Sequence, residues 1–114
     1  MDEIISQIQK VIEAILGVSF ESIYGDSREQ KISDARTIYI HSIYSLRDSN
    51  RKPLMDGIKL AAHLGYCSRN IYYHLSKYEA LKLDRKLRPK IFMIEEKINN
   101  IAEKWHYKKH ITSH

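Results

Sequence analysis

Apolar residues recur at intervals of three and four along nearly the whole chain, the spacing that lines one face of an α-helix. Ile4, Ile5, Ile8, Val11, Ile12, Ile15 and Leu16 form one such stripe, and Gly17 ends it. Ser19 offers a hydroxyl to cap a short second helix, with Phe20, Ile23 and Tyr24 turned inward and Gly25 as its stop. Ser27-Arg28-Glu29-Gln30 has the form of a capping box, serine at the cap and glutamine three residues later. The helix it opens is expected to run to about Leu46, burying Ile32, Ala35, Ile38 (or Tyr39), Ser42, Ile43 and Leu46. Asp48-Ser49-Asn50-Arg51-Lys52-Pro53 is polar, short and closed by proline, which reads as a loop.

Two shorter helices follow. Leu54, Ile58, Ala61, Ala62 and Leu64 predict the inner face of the first, and Gly65 breaks it. Ser68 is placed to cap the second, whose inner face is Ile71, Leu75 and Tyr78. A last stripe of Leu83, Leu87, Ile91, Ile94, Ile98, Ile101 and Trp105 predicts an additional C-terminal helix over residues 84–108, with Pro89 tolerated near its start. No segment alternates with period two for long enough to make a strand. The expected fold is all-α: a single small helical bundle over residues 1–114 with a helix-turn-helix at 54–78.

Composition narrows the class. With 43% hydrophobic and 29% charged residues the chain is globular, and no apolar run approaches the roughly 20 residues of a membrane span. Met1-Asp2-Glu3 is acidic where a secretory leader is basic. The one cysteine, Cys67, excludes an internal disulfide and fits a reducing bacterial cytoplasm. The formal net charge of +5 is unevenly spread: residues 1–50 hold 5 Lys/Arg against 8 Asp/Glu (−3), and residues 51–114 hold 14 against 6 (+8). A cationic half suits a polyanion, because each neutralised phosphate releases condensed counterions.

The basic half contains the helix pair, and its exposed positions carry chemistry suited to DNA. With Ile71, Leu75 and Tyr78 inward, the second helix presents Arg69, Asn70, Tyr73, Ser76 and Lys77. Arginine pairs with guanine and asparagine with adenine in the major groove. Arg69 and Asn70 fall in the first turn, the part of a recognition helix that reaches base edges. Tyr73 and Lys77 stand further along, within reach of base edge or phosphate, and Ser68 is positioned to hold a phosphate at the helix start. The expected partner is double-stranded DNA.

A family resemblance extends beyond the helix pair. Residues 8–81 resemble the C-terminal DNA-binding domain of DnaA, the bacterial replication initiator. The likeness runs through Ile8-Gln9-Lys10-Val11, Gly17-Val18-Ser19-Phe20-Glu21-Ser22-Ile23, Ser27-Arg28 and Ile32-Ser33-Asp34-Ala35-Arg36-Thr37-Ile38-Tyr39-Ile40. It resumes from Leu54 to Leu75, with Leu64-Gly65 where the family has phenylalanine-glycine. The resemblance implies a DnaA-like, Trp-repressor-like helical fold and three contact zones. Arg28 would lie in a loop reaching the adjacent minor groove; Ser68, Arg69 and Asn70 would take the positions of the family's base readers; His74 matches a histidine of the same helix. The family's glycine-glycine-arginine-aspartate-histidine-threonine-threonine signature reads here Gly65-Tyr66-Cys67-Ser68-Arg69-Asn70-Ile71, so a different target sequence is implied. Asp26, Glu29 and Asp34 dilute the basic loop, and the chain holds no Walker motif, which implies a regulatory or replication-related accessory role.

Other chemistry is thinner. No nucleophile elbow, phosphate loop or paired-carboxylate motif occurs, so neither enzymatic activity nor a cofactor is expected. His106, His110 and His114 have helical metal spacing, but no cysteine or carboxylate completes a ligand set. His41 and His63 read as packed or solvent-facing. Tyr39, Tyr44, Tyr72 and Tyr78 are expected to help fill the core, leaving Tyr66 and Tyr73 for contact with DNA or a partner. The rival reading is a protein-interaction module, in which the C-terminal helix, with Phe92, Met93, Ile94, Ile98, Ile101 and Trp105, forms a homodimer or partner face. Packing of that helix against the first one is the preferred alternative.

Overall fold

In a computed structural model, which describes residues 2–109 apart from residue 26, the chain folds as an all-α bundle of six helices. They are α1 (Asp2–Leu16), α2 (Phe20–Tyr24), α3 (Gln30–Tyr44), α4 (Gly57–Leu64), α5 (Ser68–Leu81) and α6 (Arg88–Lys104). Two two-residue strands, β1 (Leu46–Arg47) and β2 (Lys108–Lys109), pair antiparallel. They are too short for any alternation to announce them.

At the two ends most of the expected stripe is buried, but Val11, Ile15 and Ile101 are half-buried, and Tyr24, expected inward beside Phe20 and Ile23, is exposed. In α1, Ile4, Ile5, Ile8, Ile12 and Leu16 are buried, and Gly17 stops the helix at φ +67°, a backbone conformation that costs other residues about 1–2 kcal/mol. The Ser19 hydroxyl accepts from the Ser22 amide at the start of α2. α6 lies along α1 and buries Ile91, Ile94, Ile98 and Ala102, so its apolar stripe completes the core. It runs from Arg88 to Lys104 rather than over 84–108, and Leu83, expected at the head of its stripe, lies outside it and is 74% exposed. Asp84 Oδ1 accepts from the amides of Lys86 and Leu87 and holds the preceding residues in a turn.

α3 is the central element. From Ala35 to Ile40 every residue is buried, Ile38 and Tyr39 alike, because α1, α5 and α6 pack around it. Its start departs from the expected capping box: Glu29 is the cap residue and makes no side-chain cap bond, while Ser27 Oγ, two residues earlier, accepts from the Glu29 amide.

α4 begins at Gly57, not Leu54. Asp56 caps it by accepting from the Lys59 amide, and Leu54 and Met55 are buried ahead of it in a bend. The inner face also differs from the expected one. Gly57, Leu60, Ala61 and Leu64 point inward, whereas Ile58 is 75% exposed and Ala62 is also outside. Gly57 leaves room for a side chain of α5: a Cβ there would lie 2.7 Å from the Tyr72 hydroxyl. Tyr72 itself is exposed and not a core residue.

Candidate nucleic-acid interface

Gly65 at φ 73°, ψ 30° reverses the chain after α4, and its amide and that of Tyr66 both bond to the Ala61 carbonyl. Residues 65–67 thus join α4 and α5 in a tight turn. α5 then starts at Ser68, the residue expected to cap it, so the cap falls one residue earlier. Cys67 is the cap residue and makes no side-chain cap bond, and Ser68 stands in the first turn, exposed. The opening amides of α5 are therefore not closed off by a capping side chain, which leaves the positive end of the helix dipole open to an anion.

Arg69 and Asn70 are exposed, as their expected role requires, and Tyr73 is 59% exposed. Lys77 is half-buried with its ammonium 5.2 Å from the Tyr73 ring centre, a cation–π pair that orients both side chains along the helix. Ser76 is exposed and its hydroxyl donates back to the Tyr73 carbonyl.

His74 departs from the sequence reading. It is 7% exposed, and its Nδ1 lies 2.7 Å from the Thr37 hydroxyl of α3. Leu75, expected inward, is only half-buried. Both residues lie within one turn of Ile71, and the polar partner on α3 decides between them. Burial, with smaller contributions from the Lys77 and Arg36 charges, pushes the His74 pKa down to about 4, so the ring is neutral at pH 7.

Four of the expected contact residues converge on one feature. An open groove of about 520 Å³ runs between the N-terminal half of α5 and the segment before and within α3. Arg28 and Ser27 line it on one side, Asn70 and Tyr73 on the other, and Arg36 and His74 contribute as well. Arg28 is exposed. Ser68, Arg69 and Lys77 belong to the same helix but do not line the groove.

Two residues at this groove have roles that sequence reasoning missed. Arg36 is 6% exposed and spends its guanidinium on backbone: Nε donates to the Ile23 carbonyl (2.9 Å), Nη1 to Ser27 (2.6 Å), and Nη2 to Gly25 (2.6 Å) and Ser22 (3.3 Å). Tyr66, expected to be free for a partner, is half-buried. Its hydroxyl lies within donating reach of the Ile23 (2.9 Å) and Gly25 (3.0 Å) carbonyls, and the Arg36 guanidinium sits 5.7 Å from its ring centre. An arginine inside a buried helix stretch was the available signal for the first. The second has no sequence signal, since its carbonyl partners are more than 40 residues away.

A separate cluster joins the other helices. Tyr39 Oη and His63 Nε2 are 2.7 Å apart, Tyr24 Oη is 3.2 Å from the same nitrogen, and Gln9 Nε2 donates to both tyrosines. Burial lowers the His63 pKa and raises that of Tyr39. His41 stacks on Tyr78 at 3.4 Å, so both histidines are packed. Of the metal-spaced histidines, His110 and His114 lie outside the described residues. Among the described residues no group of three His, Cys, Asp or Glu is placed to hold a metal, and no helix is long and apolar enough to cross a membrane.

Comparison with known proteins adds no relative: no family model, curated protein or solved structure matches the chain.

Proposed function

We propose that the chain binds double-stranded DNA in a sequence-specific manner, with α4 and α5 acting as a helix-turn-helix and α5 as the recognition helix. The observation that carries this reading is the groove beside α5, where Arg28, Asn70 and Tyr73, picked out from sequence for DNA contact, face one another. In this reading Arg69 and Asn70 enter the major groove and pair with bases, and Ser68, Lys77 and the open start of α5 hold phosphates. Arg28 reaches the neighbouring minor groove, and the sugar–phosphate strand between the two grooves passes over the trough. His74 does not read bases; it fixes α5 on α3 through Thr37. The role is binding rather than catalysis, that of a DnaA-like regulatory or replication accessory protein in a bacterial cytoplasm.

The test is fluorescence polarisation with random-sequence duplex at two salt concentrations. Binding that falls steeply between about 50 and 200 mM salt supports the reading, since phosphate contacts release counterions. Binding that is absent at low salt, or indifferent to salt, contradicts it.

A second reading draws on Phe92 and Met93, which are 55% and 50% exposed on the outer side of α6. Two adjacent large apolar side chains in water suit a partner or homodimer contact, although the rest of the apolar stripe of α6 is spent on the core. A Phe92→Ser chain whose mass in solution equals that of the unaltered protein removes this reading.

A further inference from the structure

We infer that Tyr66 and Arg36 are positioning residues that set the span between the two DNA-contacting elements, an inference that rests on the function proposed above. Arg28 sits on a loop with no helix of its own, and its partner element, α5, begins some 40 residues later in the chain. Something must fix the distance between them if one is to enter a minor groove while the other occupies the major groove. The structure supplies two ties, and both end on the same short stretch of backbone.

The first tie comes from below. Arg36, on the buried helix α3, bonds the carbonyls of Ser22, Ile23, Gly25 and Ser27, which covers the end of α2 and the residue before Arg28. A guanidinium has five N–H donors in a rigid planar fork, so carbonyls held by three of its nitrogens are fixed in direction as well as distance. The second tie comes from the side. Tyr66 is in the turn that launches α5, and its hydroxyl reaches the Ile23 and Gly25 carbonyls that Arg36 also holds. The turn before the recognition helix is thereby fastened to the loop that carries Arg28, and the Arg36 guanidinium 5.7 Å from the Tyr66 ring centre links the two ties. Tyr66 acts on DNA through Arg28 and not by touching it. Removing its hydroxyl leaves α5 seated on α3 by Ile71, His74 and Tyr78 and removes the direct tie between the turn and the loop, which Arg36 then holds to α3 alone.

The experiment has two arms, both on the full chain. In the first, amide hydrogen exchange compares the unaltered protein with Tyr66→Phe. Faster exchange is expected at Gly25 and Glu29, whose amides donate to the Glu21 carbonyl and Ser27 Oγ, with little change in the middle of α5. Unchanged exchange in that loop overturns the brace, whatever the protein binds. In the second arm, affinity for duplex is measured in a double-mutant cycle. Arg28→Ala should weaken binding by about fivefold in the unaltered background and by much less in Tyr66→Phe, whereas Arg69→Ala should cost the same in both. Equal effects of Arg28→Ala in the two backgrounds overturn the positioning role while leaving DNA binding standing. An unaltered protein that fails to bind duplex overturns the proposed function and the positioning role with it, but not the brace read by exchange. Should Tyr66→Phe not fold, Arg36→Lys, which keeps the charge and loses the fork, carries both comparisons.

Discussion

Toward α1 and α6, helix α3 is packed mainly by isoleucines, with one polar contact from Gln9 to Tyr39; toward α5 and the turn before it, polar and aromatic side chains pair one to one beside Ile71. On the first side Ile4, Ile8, Ile12, Ile91, Ile94 and Ile98 are buried on the two helices that pack against α3. On the second, Thr37 bonds His74, His41 stacks on Tyr78, and Arg36 sits by Tyr66. Apolar burial is non-directional and scales with area, so the first side supplies stability and tolerates small shifts. Hydrogen bonds and stacked rings work at one distance and angle, so the second side fixes where α5 stands. The helix proposed to meet DNA is held by the contacts that specify position.

That contrast can be broken from the apolar side with the largest effect. Ile38→Ala removes a side chain 1% exposed between packed helices and is expected to cost about 2–5 kcal/mol in urea unfolding. The fraction that remains folded should bind duplex with unaltered affinity. A smaller loss is expected on the polar side. Thr37→Val keeps the shape and leaves the buried His74 Nδ1 without its partner, at about 1–3 kcal/mol, and it should also weaken DNA binding, since α5 loses its orienting bond.

The third effect is graded by pH. His74 has an ordinary pKa of 6.5 when unfolded and about 4 when folded, so the unfolded chain takes up its proton first as pH falls. The stability it contributes is complete above about pH 6.5 and is lost progressively toward pH 4. Burial lowers the His63 pKa too and adds in the same direction. Thermal melts at intervals across that window check it. A midpoint that stays level while His74 is present, or that falls equally in His74→Gln, contradicts the assignment.

Sequence alone carried the bundle and its punctuation because both follow from local rules. Gly17 and Gly65 adopt the left-handed backbone that their positions after apolar stripes require, and the buried stripe of α1 is set by its own spacing. Helix starts were less legible, since several short polar residues compete to cap each one. Ser27 and Glu29 vie at α3, and Asp56 lies inside what spacing alone would read as the first turn of α4. The candidate site divides in the same manner. Arg69, Asn70 and Tyr73 are exposed as amphipathic spacing predicts. His74 and Leu75 both satisfy the inward spacing, and the choice lies with Thr37, 37 residues earlier. Tyr66 was beyond reach because its role is set by carbonyls more than 40 residues away, and backbone carbonyls leave no mark in sequence.

Base reading is proposed here for the exposed residues in the first turn of α5. Selecting duplexes from a random library with the unaltered protein, then measuring the best sequence and an unselected one against Arg69→Ala, tests it most directly. Arg69→Ala should lose about 1–3 kcal/mol on the selected duplex and far less on the unselected one, with stability within about 0.5 kcal/mol of the original. Equal affinity of Arg69→Ala and the unaltered protein for the selected duplex would contradict the account.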